Sequence, residues 1–294
     1  MGRRGRTGPS GHRSYHSRPL TASHFSLRST LAALASVSAR SFCNESGFET
    51  VFFDGFDSPT LNTSIWTVLD ATAEGDPGCR DSEARCMASN VAVAGGMLHL
   101  TAQREDSAWA KYTTGAVQTR DKAFWNATPA SPWRMCIFAQ LPVGKGGTGA
   151  GYWPAFRLLP NVDACWPDSV SSELDLMEQL NGGDDIFATY RTAPAGAPAC
   201  SNTSASEGGS LEELAQWYNE YAIEVNGDGT FNFIINNDLV YESAVLPTHL
   251  VPWFLNLGLA IGGGRPQPPN ASTLFPAVVN VDWVQVVSRV GGAA

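Results

Sequence analysis

Short runs of alternating apolar and polar residues, separated by turn residues, follow one another along most of the chain. Residues 90–102 alternate on both sides of Gly95-Gly96, which predicts a β-hairpin. Residues 221–235 predict a second hairpin around Asn226-Gly227, and residues 279–287 predict a long final strand. Because the chain has many short strands and little helical periodicity, we expect an all-β, antiparallel sandwich.

The first forty residues differ in composition from the rest. They contain seven arginines and no acidic residue, and they lead into a short apolar stretch at 31–39 that ends in small residues. This composition resembles a secretory signal with a long basic region, and an organellar transit peptide is the alternative. We therefore predict a targeting segment at 1–40, removed or disordered, and a single β domain at 41–294, where we find no repeat or linker.

The charge of this predicted domain narrows the range of its partners. The chain has a net charge of −9, and subtracting the +7 of residues 1–40 leaves −16 for residues 41–294. A strongly acidic domain does not attract nucleic acid or anionic membranes, and no apolar stretch reaches the roughly 18 residues that span a bilayer. We expect a monomer that acts on a neutral polymer.

Cysteines and glycosylation sequons favour a secreted protein. The six cysteines form an even set without metal-binding spacing: Cys43, Cys79, Cys86, Cys136, Cys165 and Cys200. A short acidic loop joins Cys79 to Cys86, so we predict a local disulfide between them. Five N-x-S/T sequons begin at Asn44, Asn62, Asn126, Asn202 and Asn270.

Three acidic residues are concentrated in the segment 172–179, Ser-Glu-Leu-Asp-Leu-Met-Glu-Gln. In a regular strand Glu173 and Asp175 share one face, while Glu178 points to the other face with Leu174. Burying Glu178 among leucines without a partner is costly. We therefore predict a β-bulge at Met177, which returns Glu178 to the face of the other two acids.

Carboxylates arranged in this way suit glycoside hydrolysis. The spacing permits Glu173 and Glu178 to approach the carboxyl separation of about 5–5.5 Å that retaining enzymes use. Asp175, between them, would raise the pKa of a neighbouring glutamic acid and share a proton with the nucleophile. Two other interpretations are the solvated face of an edge strand and a Ca²⁺ site.

Several motifs resemble those of one enzyme family. Glu173-Leu-Asp-Leu-Met-Glu178 resembles the E-[IL]-D-x-M-E signature of glycoside hydrolase family 16 in its bulged, laminarinase-like form. Residues 151–156 resemble its "G-x-W-P-A-F-W", residues 254–263 its "L-N-L-A-V-G-G", and residues 281–286 its closing "V-D-Y-V-R-V". The motifs follow the family's order over roughly residues 50–290.

The resemblance implies a β-jelly roll of the concanavalin-like type, with an open concave cleft. It implies that Glu173 is the nucleophile, Asp175 the assisting aspartate and Glu178 the general acid/base of a retaining endo-β-1,3-glucanase or β-1,3/1,4-glucanase. The chemistry requires no metal or organic cofactor, and a structural Ca²⁺ known in some members is not placed. A transglycosylase on the same site is one alternative. The other is a glucan-binding lectin, which the three retained acids disfavour.

The same resemblance implies a set of substrate-binding residues. Trp153 matches a tryptophan that stacks on a sugar ring, Asn90 a glucose-binding asparagine, and Trp166 lies beside the cleft. Arg191 stands where the family has a histidine and can donate to a substrate hydroxyl. Arg265 stands where the family has a further stacking tryptophan, so the reaction type is expected to be kept while the substrate preference differs.

Overall fold

The computed structural model describes residues 41–72, 79, 82–105, 107, 109–126, 132–161, 172–192, 203–210, 216–226, 230–243 and 252–290. They belong to one of the chain's two compact units, Arg40–Ala294, and the segment predicted at 1–40 lies outside the described residues. Within these ranges, no helix has the length and apolar character needed to cross a membrane.

Nearly all regular structure in the described ranges is β. Short 3₁₀ turns lie at Phe42–Asn44, Ala88–Asn90 and Lys145–Gly147. The strands are β1 (Phe48–Asp54), β2 (Thr67–Val68), β3 (Ala84–Cys86), β4 (Val91–Ala94), β5 (Met97–Arg104), β6 (Tyr112–Thr114), β7 (Ala116–Gln118), β8 (Phe124–Asn126), β9 (Trp133–Gln140), β10 (Tyr152–Pro160), β11 (Ser172–Gln179), β12 (Asp185–Thr192), β13 (Thr203–Ser210), β14 (Asn219–Val225), β15 (Phe231–Ile235), β16 (Asp238–Glu242), β17 (Pro252–Ile261) and β18 (Ala277–Arg289).

The strands form two sheets. The first has the order β16-β15-β14-β9-β18-β5-β6-β3, with β1 beside β18 and β4 beside β5. The second has the order β13-β12-β11-β10-β17-β7-β2, with β8 beside β17. The described pairs are antiparallel except β3 with β6, and apolar side chains from both sheets share one core. The predicted all-β jelly-roll sandwich is confirmed.

The predicted hairpins and final strand are also present. β4 and β5 pair around Gly95 and Gly96, whose φ values of 62° and 75° suit a two-residue turn that glycine adopts without strain. β14 pairs with β15 in the second hairpin. The long β18 pairs with β1, β5 and β9, and its alternating valines explain why its sequence pattern was clear.

Alternation along the second sheet separates its two faces. Phe156 and Leu158 of β10, and Leu255 and Leu257 of β17, point into the core and are fully buried. The intervening residues therefore occupy the opposite face. That face carries the polar residues of the candidate site.

Two disulfides are described. Cys79–Cys86 is the predicted local bridge, with its Cα atoms 5.3 Å apart. Cys43–Cys136 joins the first described residues to β9. Cys165 and Cys200 lie outside the described residues, as does the sequon at Asn202, while the other four sequon asparagines are exposed.

Candidate active site

The strand that carries the three acids contains the predicted bulge. Asp175 pairs with Thr189 of β12, and Glu178 pairs with Phe187, so two residues of β11 lie opposite Ala188 alone. On the β10 side Met177 still has a partner and Leu176 is the residue without one. The bulge thus spans Leu176 and Met177, and the prediction at Met177 is confirmed to within one residue.

The bulge places the apolar and acidic residues of β11 on opposite faces. Leu174, Leu176 and Met177 all join the core, so two consecutive side chains point inward where a regular strand allows one. Glu178 therefore returns to the face of Asp175, and the guanidinium of Arg157 contacts both carboxyls. The three acids are buried, with exposed fractions of 5% for Glu173 and 0% for Asp175 and Glu178.

Glu178 receives protein donors on both carboxyl oxygens. Trp153 Nε1 donates to Oε1 over 2.9 Å, and Arg157 Nη2 lies 3.6 Å from the same oxygen. Thr189 Oγ1 donates to Oε2 over 2.9 Å, and Arg265 Nη1 also contacts Oε2. These donors come from β10, β12 and the loop after β17, so three separate segments orient one carboxylate.

Asp175 has a different environment from its two neighbours. Burial raises the pKa of its carboxyl well above 3.8, the charges of Glu173 and Glu178 raise that pKa further, and Arg157 and Arg191 lower it. Neither of its oxygens accepts a hydrogen bond from a described residue, and Arg157 Nε lies 3.6 Å away. A neutral Asp175 between two glutamates can donate its proton to either, as an assisting acid should.

Glu173 lies beside the arginine that replaces the family histidine. The two residues are opposite each other in the β11–β12 register, and Arg191 Nε is 3.5 Å from Glu173 Oε2. The Arg191 side chain is 34% exposed. The structure thus places Arg191 beside Glu173, and its predicted role toward a substrate hydroxyl stays a prediction.

The predicted aromatic and amide residues lie in different places. Trp153 lies on the site face but is only 3% exposed, with its indole bonded to Glu178 and its ring 5.0 Å from the Arg157 guanidinium. Asn90 is buried in a 3₁₀ turn, where its amide donates to Thr113 Oγ1 over 2.9 Å. Trp166 lies outside the described residues. The sugar-binding roles of these three residues stay predictions.

Arg157 is a site residue that the sequence motifs did not single out. It lies four residues after Trp153 on β10, where alternation puts both on one face, so the pattern contained the signal. Asn256 of β17, directly opposite Arg157 in register, is a second such residue. By contrast, the contact of Arg265 with Glu178 joins residues 87 positions apart and needs the folded chain.

With this geometry in place, the chain can be compared with known proteins. No protein-family model matches it. It is 26% identical over 282 residues to glucan endo-1,3-beta-glucosidase A1 of Niallia circulans, covering 82% of this chain and 38% of that protein. It is 28% identical over 226 residues to the beta-glucanase of Rhodothermus marinus, covering 69% of this chain and 71% of that protein.

Solved structures show the same similarity to β-glucanases. The endo-1,3-beta-glucanase of Streptomyces sioyaensis superposes with a TM-score of 0.68 at 25% identity, over 84% of this chain and 98% of that one. This structural likeness agrees with two earlier observations, the acidic motif on the bulged strand β11 and the likeness to the two relatives above. The chain is therefore similar to known β-glucanases, which agrees with the resemblance of its motifs to glycoside hydrolase family 16. The chain spans well under half of the Niallia relative, so that protein has further sequence with no counterpart here.

The described part of the chain contains no group of three His, Cys, Asp or Glu side chains arranged to hold a metal ion. The acids of β11 are instead paired with arginines. Three carboxyls and three guanidiniums meet on one face of the second sheet, through Glu173, Asp175, Glu178, Arg157, Arg191 and Arg265. The arrangement can support nucleophilic attack at one end and proton transfer at the other.

Proposed function

We propose that this protein is a retaining endo-β-glucanase of glycoside hydrolase family 16 that hydrolyses β-1,3-glucan, or mixed β-1,3/1,4-glucan, by double displacement. The observation that carries the proposal is the bulged strand, which turns Glu173, Asp175 and Glu178 toward one face while Leu174, Leu176 and Met177 fill the core. Two carboxylates on one face of a sugar-binding sheet are the minimum that double displacement requires.

In the first step Glu173 attacks the anomeric carbon and forms a glycosyl ester. The bond to the leaving oxygen breaks, and Glu178 gives its proton to that oxygen. Asp175, kept neutral by burial and by its acidic neighbours, donates a hydrogen bond that orients the Glu173 carboxylate.

In the second step the ester is hydrolysed. Glu178, now ionised, takes a proton from water, and the hydroxide attacks the anomeric carbon from the side that the leaving sugar vacated. Glu173 leaves as a carboxylate, so the product has the β configuration of the substrate. All the groups needed come from one chain, which is consistent with a monomer.

The substrate class rests on the relatives and on charge. The named relatives are β-1,3-glucanases and β-glucanases, and a neutral polysaccharide suits a domain that is strongly acidic outside the site. The two described disulfides and the exposed sequons support action outside the cell. No resident metal or organic cofactor is part of the proposed reaction.

Glu173→Gln tests the proposal. We expect hydrolysis of laminarin to fall by about 10⁴-fold or more, since the amide cannot form the ester, while laminari-oligosaccharides still bind. Glu49→Gln on the exposed face of β1 is the matched control and should keep the parent rate.

Parallel assays on lichenan and agarose define the linkage, and transfer to added oligosaccharide acceptors would identify a transglycosylase. A Glu173→Gln protein that degrades laminarin like the parent would overturn the nucleophile assignment, and a parent that binds glucan without cleaving it would be a lectin.

A further inference from the structure

Arg265 is the site residue that does not come from the second sheet. It lies in the loop between β17 and β18, and its guanidinium contacts Glu178 Oε2 and lies 3.3 Å from Thr189 Oγ1. It also stacks over the ring of Phe187, 5.1 Å from the ring centre. Thus the guanidinium packs against the face of β12 at the end of the site that holds the acid/base.

The contact of Arg265 with Glu178 conflicts with the general acid/base role proposed for Glu178. A general acid must present one carboxyl oxygen to the glycosidic oxygen at hydrogen-bond distance. In the structure Oε1 is held by Trp153 and approached by Arg157, and Oε2 is held by Thr189 and Arg265. Glu178 is fully buried beneath these donors, so one of them has to leave before substrate can reach it.

Of the four donors, Arg265 is the one whose position in the fold allows it to move. The other three extend from paired strands β10 and β12, whereas the Arg265 side chain extends from a loop and is 27% exposed. Three consecutive glycines, Gly262–Gly264, precede it, and Gly263 has a φ of 101° that favours glycine. We call Gly262–Gly264 the glycine arm. A Cβ on Gly264 would meet no atom within 4 Å, so this end of the glycine arm has space to rotate.

The far side of the arm is fixed. The backbone N–H of Gln267 donates to Asn181 Oδ1 over 2.9 Å, two residues beyond Arg265. Pro266, between them, restricts the backbone on that side. Motion of Arg265 is therefore a local rotation about the glycine arm and does not require the loop to detach.

We propose that Arg265 is a positioning residue that latches Glu178 in the free enzyme and is displaced from it when a glucan chain enters the site. The inference rests on the proposed function, because it assigns Glu178 the acid/base role. In the free enzyme the guanidinium contacts Oε2 of Glu178, and in the complex the sugar's leaving oxygen takes its place there. Arg265 thus places a positive charge, which substrate displaces, where the family resemblance predicts a stacking tryptophan.

The pH dependence of laminarin hydrolysis separates a latch from a fixed contact. The alkaline limb of kcat/KM reports the acid in the free enzyme, and that of kcat reports it in the complex. For the parent we expect the kcat limb to lie above the kcat/KM limb, because the arginine contacts the acid in the free enzyme and the sugar replaces it in the complex. In Arg265→Gln the kcat/KM limb should rise to meet the kcat limb, which itself stays in place.

Two further variants complete the experiment. Arg265→Lys keeps a positive charge on the arm, so its kcat/KM limb should remain near that of the parent. Arg289→Gln, an exposed arginine at the end of β18, is the control and should show the parental profile. Thermal unfolding checks that each protein is folded, and the separation of the two limbs in the parent carries the test if the glutamine variant is not.

The outcomes are distinct from failure of the proposed function. If the parent does not hydrolyse laminarin, the function is wrong. If the parent hydrolyses it but its two limbs coincide, or Arg265→Gln moves both limbs equally, Arg265 stays paired throughout the reaction and the latch is wrong. A glutamine variant that moves neither limb would assign Arg265 a purely structural role.

Discussion

At the scale of single residues, the site is a balance of three acids and three arginines. All three acids lie beside guanidiniums, but Asp175 is fully buried and neither of its oxygens accepts a hydrogen bond from a described residue. The pKa of Asp175 is accordingly raised, by burial first and then by the two glutamates. A raised pKa favours the neutral form of Asp175 and so reduces the repulsion among the three carboxyls.

Asp175→Asn tests this protonation through stability. A folded-state pKa raised above 3.8 means that the native protein keeps a proton that the unfolded chain loses, so the free energy of unfolding decreases as pH rises from about 4 toward the folded pKa. The amide variant lacks this decrease. Relative to the parent it should gain about 1.4 kcal/mol of stability per pH unit across that window.

Thermal unfolding of parent and variant between pH 4 and 8 measures the difference. Asp238→Asn, on exposed β16, is the control and should follow the parent. A difference between Asp175→Asn and the parent that is flat, or that shrinks with rising pH, would mean that Asp175 is ionised in the folded protein.

At the scale of elements, the bulge in β11 determines which residues face the candidate site and which face the core. It turns Leu176 and Met177 inward together, and Glu178 is then held by donors from the two flanking strands. The requirement could be predicted from the sequence because a buried, unpartnered glutamate is costly. The exact position of the unpaired residue could not, since it depends on packing against β10.

Exchanging Met177 and Glu178 tests which of these two side chains faces the core. Met177→Glu/Glu178→Met should place a carboxylate in the core and a thioether in the site. We expect loss of laminarin hydrolysis and a destabilisation of several kcal/mol, measured by denaturant unfolding. Leu176→Met/Met177→Leu, which exchanges two core residues of similar volume, should cost less than about 1.5 kcal/mol and retain activity. Equal stability of the two double variants would contradict the assigned faces.

At the scale of the whole molecule, local patterns predicted more than distant contacts did. Alternation identified the hairpins, β18 and the shared face of Glu173 and Asp175, because each depends on neighbours in sequence. The same rule, applied to β10, would have placed Arg157 beside Trp153. The Arg265–Glu178 contact depends on how a loop folds over a different strand, so no local pattern contains it.

The stereochemistry of hydrolysis tests the central claim most directly, because double displacement through Glu173 retains the configuration, whereas direct attack by water inverts it. Laminarin is incubated with the enzyme and the new reducing ends are followed by proton NMR before mutarotation proceeds. The β-anomer should form first and the α-anomer should then grow at the rate of spontaneous mutarotation. Initial release of the α-anomer would contradict a covalent intermediate on Glu173.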